Sequence, residues 1–391
     1  MSLTGSTWKW LLALFTVVFI GVGMAWNKHH IDSQVARVAD RLLLLSNLRR
    51  QALESYFATA EAELQFWSLS EQLIGWQREL SADWLTYSRL VGDPQSTLQE
   101  LYIYGNPYPW GQLHQLNNAF DGSRYSALHA QLHPLAKLFV LERGYYDLFL
   151  VGAEGDVVYS VVKEKDFATN LITGEWKASG LAEAYRRAID YAADDRVVIS
   201  DMQPYAPSKG EPAIFMAKAM LGLRGQVLGV LILQLSTDKI TQIMNFSAGM
   251  GATGETYLVG QDLLMRSNSR FSKESSILRT AVNTDTVQLA LAGQQGVDFA
   301  LDYRGVEVLS AYTSTAIDQF QWAVMAEIDR EEILQMAADE RPAIGAIMLF
   351  LYGLSLWSVW YGRGSGLPDG GTQLVDLDFE GGGGAGSDLN G

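Results

Sequence analysis

Two uncharged apolar segments, residues 11–25 and 343–361, are the features that most restrict how this 391-residue chain can fold. Tryptophans flank them, with Trp8 and Trp26 around the first segment and Trp360 near the end of the second. Crossing the hydrocarbon core of a bilayer takes about 20 apolar residues, and indole rings favour the membrane–water interface. The chain is therefore expected to cross a membrane twice, with most of its residues between the crossings.

We predict transmembrane helices over residues 8–26 and 342–361. The alternative for the first segment is a cleaved signal peptide, but no clear small-x-small cleavage site follows it. The alternative for the second segment is a buried core helix, although only a polar, glycine-rich stretch comes after it. One cation lies near each end of the chain, Lys9 and Arg363, so the positive-inside rule gives almost no orientation.

A short N-terminal segment, residues 1–10, most simply stays in the cytoplasm. Two crossings return the C-terminal end to the same side and place residues 27–340 outside. The predicted location is therefore the inner or plasma membrane, with the main region periplasmic or extracellular. The sequence leaves open whether the first segment is cleaved.

The composition removes several functional classes. A formal net charge of −15 argues against nucleic-acid binding, which needs a basic surface. The chain has no cysteine, so thiol catalysis, zinc ribbons and disulfide scaffolds are excluded. An exported region without disulfides must be stabilised by core packing, and 11 Trp, 17 Tyr and 15 Phe suit that task.

Residues 31–90 are predicted to form a long helix. Apolar residues such as Ile31, Val35, Val38 and Leu42 recur at intervals of three and four, and the segment has no proline. Such a helix could pair with a second copy of the chain in a homodimer. It could equally lie as an amphipathic helix on its own domain, and the tract is too short to identify a coiled coil.

From residue 101 onward the pattern becomes rich in predicted β-strands. The first set covers 147–152, 157–162, 196–200, 214–220 and 226–235, with a helix over 180–193. The second set covers 255–259, 263–267, 297–302, 306–313 and 320–328. Short Gly- and Asp-containing turns separate several of these runs, which favours antiparallel hairpins. The two sets echo each other weakly, as an internal duplication would.

The predicted fold class is α+β. A long N-terminal helix carries two tandem PAS-like antiparallel-sheet lobes, a membrane-distal one over 100–245 and a membrane-proximal one over 250–335. A last helix begins near Asp329, and Glu332 completes a variant of the capping box. That helix leads into the second apolar segment.

Four stretches carry a resemblance to a known family. They are GYYDLFL at 144–150, YSVVKEKDF at 159–167, DMQPYAPS at 201–208 and TGETYLVG at 253–260. Together with the order of span, long helix, two sheets and span, they resemble the double Cache sensors of bacterial chemoreceptors, sensor kinases and nucleotide cyclases. The resemblance covers residues from about 8 to 361.

This resemblance implies that the distal sheet holds a small molecule, that the proximal sheet relays the signal, and that a cytoplasmic output domain follows. The 30 residues after Tyr361 are too few for a methyl-accepting coil, a kinase or a cyclase. The Tyr-x-x-x-x-Arg-x-Trp-Tyr arrangement of the amino-acid-binding subgroup is not found. The ligand class is therefore not carried over.

The distal lobe contains the candidate ligand site, because small-molecule pockets combine aromatic walls with a few converging polar groups. The candidate residues are Tyr145, Tyr146, Asp147, Tyr159, Trp176, Asp201 and Tyr205. Asp201 would hold a ligand amine, and Trp176 would lie on a lid. The alternative is that the aromatic residues belong to the core and that Asp201 caps a turn before Pro204.

Other motifs favour structural interpretations. His129 and His133 have the spacing of two metal ligands on one helical face, but no third ligand is evident, so we interpret them as surface or packing histidines. The GxGxxG match at 249–254 follows a helix and precedes a strand, the reverse of a dinucleotide site. We interpret it as a flexible lead into the proximal sheet. No hydrolase motif is present, and we predict neither an enzyme nor a cofactor.

The C-terminal stretch 362–391 is predicted to be disordered because it is acidic and rich in glycine. Within it, residues 373–380 alternate apolar and acidic side chains. Leu374, Val375, Leu377 and Phe379 would form one apolar edge that docks a separate cytoplasmic signalling partner by strand addition. The alternative is a disordered remnant of a lost output domain.

The predicted function is a membrane-anchored sensory protein that binds a small extracytoplasmic ligand and relays a conformational change inward. The alternative is a membrane adaptor or structural protein that has no ligand and recruits a partner through its C-terminal stretch. An extracytoplasmic enzyme finds no catalytic constellation to support it. The identity of the ligand and the output pathway are not predicted.

Overall fold

The computed structural model describes residues 5–90, 92–245, 249–339 and 341–364, and these form an α+β fold. The helices are α1 (Gly5–Ser68), α2 (Glu71–Leu90), α3 (Pro94–Gln99), α4 (Arg124–Arg143), α5 (Gly180–Asp190), α6 (Thr237–Met244), α7 (Asp285–Leu291), α8 (Arg330–Asp339) and α9 (Arg341–Gly364). The strands are β1 (Asp147–Gly152), β2 (Val157–Ser160), β3 (Val197–Ile199), β4 (Gln203–Tyr205), β5 (Glu211–Leu221), β6 (Val227–Leu235), β7 (Glu255–Val259), β8 (Gly296–Leu301), β9 (Glu307–Ile317) and β10 (Phe320–Asp329).

Residues 29–336 form one compact unit, and the described parts of 1–28 and 337–391 cluster in a second. The predicted long helix is present as two helices, α1 and α2, with a break at Leu69 and Ser70. The Ser70 hydroxyl accepts a hydrogen bond from the Leu73 amide, so it caps the start of α2. The periodic pattern over 31–90 therefore predicted the helical state correctly but not this interruption.

The distal lobe is built on a sheet with strand order β2-β1-β6-β5-β3, to which β4 adds by pairing with β5. All these pairings are antiparallel. Side chains alternate across a strand, so β1 directs Phe149 and Val151 into the core that α5 covers. Leu148 and Leu150 enter the other core, which is shared with α1, α2 and α4. The sheet is buried on both faces.

The prediction of β-structure from residue 101 onward was wrong for residues 101–146, because β1 begins at Asp147 and α4 comes before it. Ser123 caps α4 by accepting from the Ser126 amide, and Gly144 ends it in the left-handed conformation with φ of 72°. Both His129 and His133 are buried in this helix. Polar and apolar positions alike face the core, so no clean helical stripe appears in the sequence.

The proximal lobe is a four-stranded antiparallel sheet with strand order β7-β10-β9-β8. One of its faces packs on α7, and Val38 and Leu42 of α1 contribute to the core on the other. The strand predicted over 263–267 is absent and is replaced by isolated bridges such as Val259 to Met265. Leu263 has φ of 63°, a left-handed conformation that interrupts an extended strand.

Helix α1 contacts both lobes. Its Phe57 ring lies 5.9 Å from the ring of Trp322, which is fully buried in β10. The Thr315 hydroxyl in β9 donates to Glu54 over 3.1 Å. On the distal side, the Tyr145 hydroxyl donates to Glu63 over 2.7 Å. One continuous helix therefore carries both sheets.

The second unit pairs the beginning of α1 with α9. The hydroxyl groups of Thr16 and Tyr352 lie 3.0 Å apart, and the Phe19 ring is 4.7 Å from that of Tyr352. Among the described residues, no helix has both the length and the hydropathy of a membrane span. The predicted docking residues Leu374, Val375, Leu377 and Phe379 lie outside the described part of the chain.

The proximal core contains a buried carboxylate. Glu327 accepts hydrogen bonds from the hydroxyls of Tyr257 over 2.9 Å and Ser310 over 2.7 Å. Burial, reinforced by the nearby carboxylates of Asp302 and Glu255, raises the pKa of Glu327 to about 7. Because this pKa exceeds that of an unfolded chain, the folded state is favoured most while Glu327 is protonated.

The free energy of unfolding should therefore contain a contribution that is complete below pH ~4.5 and is lost as the pH rises through ~7. We expect Glu327→Gln to remove this contribution. The free energy of unfolding of the variant, relative to that of the native protein, should then rise by up to ~3 kcal/mol from pH 5 to pH 8. Chemical denaturation at several pH values measures this. Glu307→Gln, at an exposed pair with Arg330, should keep the native profile. Parallel profiles for Glu327→Gln and the native protein would contradict the assignment.

Candidate functional site

A cavity of about 820 Å³ opens in the distal lobe, a size typical of small-molecule sites. Its walls come from the loop at 110–114, the end of α4, the segment 161–165 after β2 and the segment 206–211 after β4. Trp110, Leu141 and Tyr146 contribute apolar and aromatic surface. The cavity therefore combines wall elements that are far apart in the sequence.

The carboxylate of Glu164 is the best-positioned polar group in this cavity. It accepts hydrogen bonds from the Tyr146 hydroxyl over 2.9 Å and from the Ser208 hydroxyl. Tyr146 precedes β1, and Ser208 follows β4, so the carboxylate is fixed between two separate wall elements. Lys165 and Lys209 are exposed at the rim. This arrangement can recognise a ligand that carries polar or charged groups.

The fully buried Lys163 also lines the cavity. Its backbone is left-handed, with φ of 66°, and its amine donates to the carbonyl oxygen of Ser160. The amine lies 4.6 Å from the ring centre of Tyr159, 5.2 Å from that of Phe167 and 5.9 Å from that of Tyr102. Burial lowers the pKa of Lys163 to about 7.

Two buried carboxylates lie behind the cavity wall. One oxygen of Asp147 accepts from the amides of Leu148, Val161 and Val162 over 2.7–3.1 Å. The other oxygen has no hydrogen-bond partner within the described residues. Burial, and then the proximity of Asp166, raises the pKa of Asp147. Burial likewise raises the pKa of Asp166 to about 7.

His129 and His133 stack with their ring centres 4.5 Å apart. The two nitrogens of His133 contact the Tyr159 hydroxyl over 2.7 Å and the His114 carbonyl oxygen over 2.6 Å. Burial, and next the charge of Lys163, lowers the pKa of both histidines. They are packing residues rather than surface ones, and both lie behind the cavity wall.

Of the seven candidate ligand-binding residues, only Tyr146 lines the cavity. Tyr145 is directed toward Glu63, and Tyr205 donates to Asp166 over 2.5 Å. The indole nitrogen of Trp176 donates to the Lys165 carbonyl oxygen over 3.3 Å. Asp147, Tyr159 and Tyr205 are all fully buried and support the wall. The structure thus brings most of the set to one region but exposes a single member to the cavity.

Asp201 lies away from the cavity, where the two lobes meet. Its carboxylate accepts hydrogen bonds from the Arg266 guanidinium over 2.9 and 3.3 Å and from the Trp322 indole over 3.0 Å. Gly260 leaves room for this guanidinium, because a Cβ there would lie 2.3 Å from its central carbon. The position therefore corrects the expectation that Asp201 faces the same space as the aromatic candidates.

A second polar contact joins the lobes. Asp318, in the turn between β9 and β10, accepts from Arg187 over 2.5 Å, from Arg196 over 3.2 Å and from the Ile199 amide over 3.0 Å. Its distal partners and Asp201 belong to the segment 187–201, which continues through β4 into the cavity wall at 206–211. The same chain segment therefore provides part of the cavity wall and the residues that bind the proximal lobe.

The GxGxxG stretch is held by the last helix of the proximal lobe. Glu332 accepts from the amides of Ala252 and Thr253, each over 2.8 Å. Gly251 has φ of 67°, and a Cβ there would lie 2.2 Å from a Glu332 oxygen. The Glu332 carboxylate thus binds this loop and not the first turn of its own helix, so the capping-box expectation was wrong. The Ala252–Thr253 portion is anchored rather than free.

Sequence reasoning missed several cavity residues, above all Lys163, Glu164 and Ser208. The charged run KEK at 163–165 directly after a predicted strand was visible in one of the four family-like stretches. Three charges after an apolar strand usually indicate a solvated turn, so they gave no reason to expect a buried lysine. Glu164 and Ser208 are 44 positions apart, and only the tertiary fold brings them together.

Comparisons with known proteins agree with this architecture. The sequence model of the Cache domain family matches residues 31–337. A Sinorhizobium fredii protein named "Probable chemoreceptor" is 26% identical over 240 residues, which are 60% of this chain and 28% of that protein. This chain therefore spans little more than a quarter of that relative.

Two solved structures show a low similarity. The ligand-binding domain of the Campylobacter jejuni chemoreceptor Tlp3, in complex with 4-methylisoleucine, is 11% identical, with a TM-score of 0.43; the match covers 78% of this chain and 94% of that one. The ligand-binding domain of the Pseudomonas aeruginosa amino-acid chemoreceptor PctC, in complex with GABA, is 18% identical, with a TM-score of 0.36; the match covers 60% and 95%.

Removing the Asp201 carboxylate should leave the Arg266 guanidinium, itself 2% exposed, without its inter-lobe partner. We expect Asp201→Ala to lower the free energy of unfolding by ~2 kcal/mol, below the usual cost of breaking a fully buried pair because Asp201 is partly exposed. In an Arg266→Met background the same substitution should cost much less.

Denaturant titration measures the free energy of unfolding in both backgrounds. Asp190→Ala, on the surface of α5, should change stability by less than ~0.5 kcal/mol. Equal costs of Asp201→Ala in both backgrounds would contradict the coupling.

Proposed function

Because this chain belongs to the Cache domain family, we propose that it is a membrane-anchored sensory protein rather than an enzyme. It binds a small extracytoplasmic ligand in the distal-lobe cavity and relays a conformational change toward the membrane. One observation carries this proposal: a cavity of ligand size holds a carboxylate fixed by two hydroxyls from separate wall elements.

The proposed ligand contacts are Tyr146, Glu164 and Ser208, with Trp110 and Leu141 as apolar wall. The remaining candidates, Tyr145, Asp147, Tyr159, Trp176 and Tyr205, act from behind by holding the wall segments in place. A preorganised carboxylate reduces the free-energy cost of ordering the site when a ligand binds. These features support binding in the distal lobe.

Relay in this proposal follows the contacts between the lobes. Ligand in the cavity bears on the segment 206–211, which is continuous with Asp201 and its bond to Arg266. Asp318 provides the second connection. In the proximal lobe Glu332 ties the loop at Ala252 to α8. A ligand shifts such a system only if it prefers one of two arrangements, so it must contact wall positions that differ between them.

We also propose that residues 11–25 and 343–361 anchor the protein in the membrane, with the lobes periplasmic or extracellular. Apolar side chains such as Val18, Leu349 and Phe350 are exposed on their helices, and a bilayer would cover them. The signal then passes to a separate cytoplasmic signalling protein.

The proposed assembly is a homodimer. Along α1, Leu44 with Leu48 and Ala62 with Phe66 are two exposed apolar pairs, each four residues apart, and Phe66 is 71% exposed. About four helical turns separate the pairs, so the four residues form one stripe along the same side of the helix. A second copy of the same helix can cover this stripe with knobs-into-holes packing. The stripe faces away from Leu53 and Phe57, which are buried in the fold.

Ligand binding should be detectable as thermal stabilisation of the full chain in detergent against a panel of amino acids, amines, organic acids, purines and sugars. A hit at a hundredfold excess over its dissociation constant should add ~2.7 kcal/mol. We expect Glu164→Gln and Tyr146→Phe to weaken the hit about tenfold or more, since each loses a charge-assisted hydrogen bond. Tyr104→Phe, at an exposed position outside the cavity, is the matched control. Two outcomes would overturn the site: a ligand that stabilises both cavity variants as much as the native protein, or no stabilisation of the well-folded native protein by any compound in the panel.

The chain has no cysteine, so single cysteines report the proposed dimer cleanly. In isolated membranes we expect Leu48→Cys and Phe66→Cys to form disulfide-linked dimers under mild oxidation, because equivalent positions face each other across a two-fold axis. Leu53→Cys, buried within the protomer, should not. Recovery of the protein outside the membrane fraction would refute the anchoring, and absence of both cross-links would refute the helix pairing.

A further inference from the structure

The position of the Lys163 amine has a consequence beyond the outer cavity. Tyr102 lies in a single π-helical turn at Glu100–Tyr104, Tyr159 in β2 and Phe167 in the loop that follows. All three rings are fully buried, and their centres lie within 6 Å of the amine. We call these three residues the aromatic box.

The box has the chemistry of a cation site. Aromatic faces carry a negative quadrupole and attract ammonium groups placed over them. The carbonyl oxygen of Ser160 accepts a hydrogen bond from the Lys163 amine. The buried carboxyl group of Asp147 favours the protonated amine when it is itself ionised, and one of its oxygens lacks a partner among the described residues. A leucine or methionine would fill an ordinary core position without these features.

Lysine is an unusual occupant for such a site. Its side chain is almost never fully buried without a partner, and desolvation of the ammonium is costly. Lys163 nevertheless lies at 1% exposure, and its backbone adopts a left-handed conformation with φ of 66°. The same residue forms part of the cavity wall, so a rearranged side chain has space to enter. The Lys163 side chain therefore occupies the box although open space lies beside the residue.

We propose that the aromatic box is an organic-ammonium site of which the Lys163 side chain is the resident occupant. A ligand ammonium group entering through the cavity takes the place of the Lys163 amine, which moves out into the cavity next to Glu164. The second statement rests on the proposed function of the cavity, whereas the first does not. The ligand class is a primary or methylated alkylammonium compound whose cationic end fits between three rings.

Chemical rescue of a truncated lysine tests the box directly. Lys163→Ala in the full chain removes three methylene groups and the amine, which together have the shape of n-propylammonium. This probe carries a full positive charge at neutral pH, as an unperturbed lysine does. We expect the variant to melt several degrees below the native protein and to regain most of that loss at millimolar n-propylammonium.

Three controls separate a cation site from an apolar hole. 1-Propanol has nearly the same shape and no charge, and should restore much less of the midpoint. Lys165→Ala removes the neighbouring exposed lysine and should show neither the loss nor the rescue. Lys163→Met keeps the volume without the charge, so it should fold even where Lys163→Ala does not, and n-propylammonium should leave its midpoint unchanged.

Equal rescue by 1-propanol and n-propylammonium would overturn the proposal, as would no rescue of a folded Lys163→Ala variant. If Lys163→Ala does not fold without the probe, refolding yield with and without n-propylammonium gives the same decision. Rescue together with a failed ligand panel would establish the box while removing the sensory proposal. A ligand found in the panel without rescue of Lys163→Ala would support the sensory proposal and remove the box. The failure of one proposal can therefore be told from the failure of the other.

Discussion

The continuous helix α1 is the constraint on which the rest of the structure depends. Each sheet buries one face against its own short helix, α5 or α7, and needs a second cover for its other face. Helix α1 contributes that cover for both, through Leu53 and Phe57 in the large core and Val38 and Leu42 in the proximal one. Without disulfides, this shared apolar surface is what makes one compact unit of residues 29–336.

Polar contacts then define how the lobes engage. Asp201 and Asp318 bind three arginines in total, and each partner comes from the opposite lobe. Such bonds contribute less to stability than the apolar core, because charges lose hydration when they pair. They require a specific geometry, however, and this suits the proposed relay, in which the contact between the lobes would distinguish two arrangements. The distal-lobe residues of these contacts, Arg187, Arg196 and Asp201, belong to the chain segment that continues into the cavity wall.

Local pattern was enough to predict much of the fold. The sequence predicted the hairpin of β1 and β2 and the strands β8 to β10, because alternating side chains and turn residues are short-range signals. Helix α4 was missed because it is buried on several sides and so lacks a stripe, and the strand at 263–267 was wrong because Leu263 adopts φ of 63°. Among the predicted ligand contacts, Tyr146 lines the cavity, and the aromatic residues next to β1 were the reason for naming it. The Glu164–Ser208 and Asp201–Arg266 pairs depend on long-range packing that no local pattern contains.

Strand β10 runs between two of the contacts described above. Its first residue, Phe320, comes two positions after Asp318, and its last, Asp329, comes three positions before Glu332. Ladder hydrogen bonds to β7 and β9 hold it along both edges and make it stiff in the plane of the sheet. Ten residues of strand span ~33 Å. The strand can therefore act as a lever arm. A tilt of ~1° at the end next to Asp318 would displace the other end by ~0.6 Å. Shifts of this order are the ones that packed elements convert into a change of state.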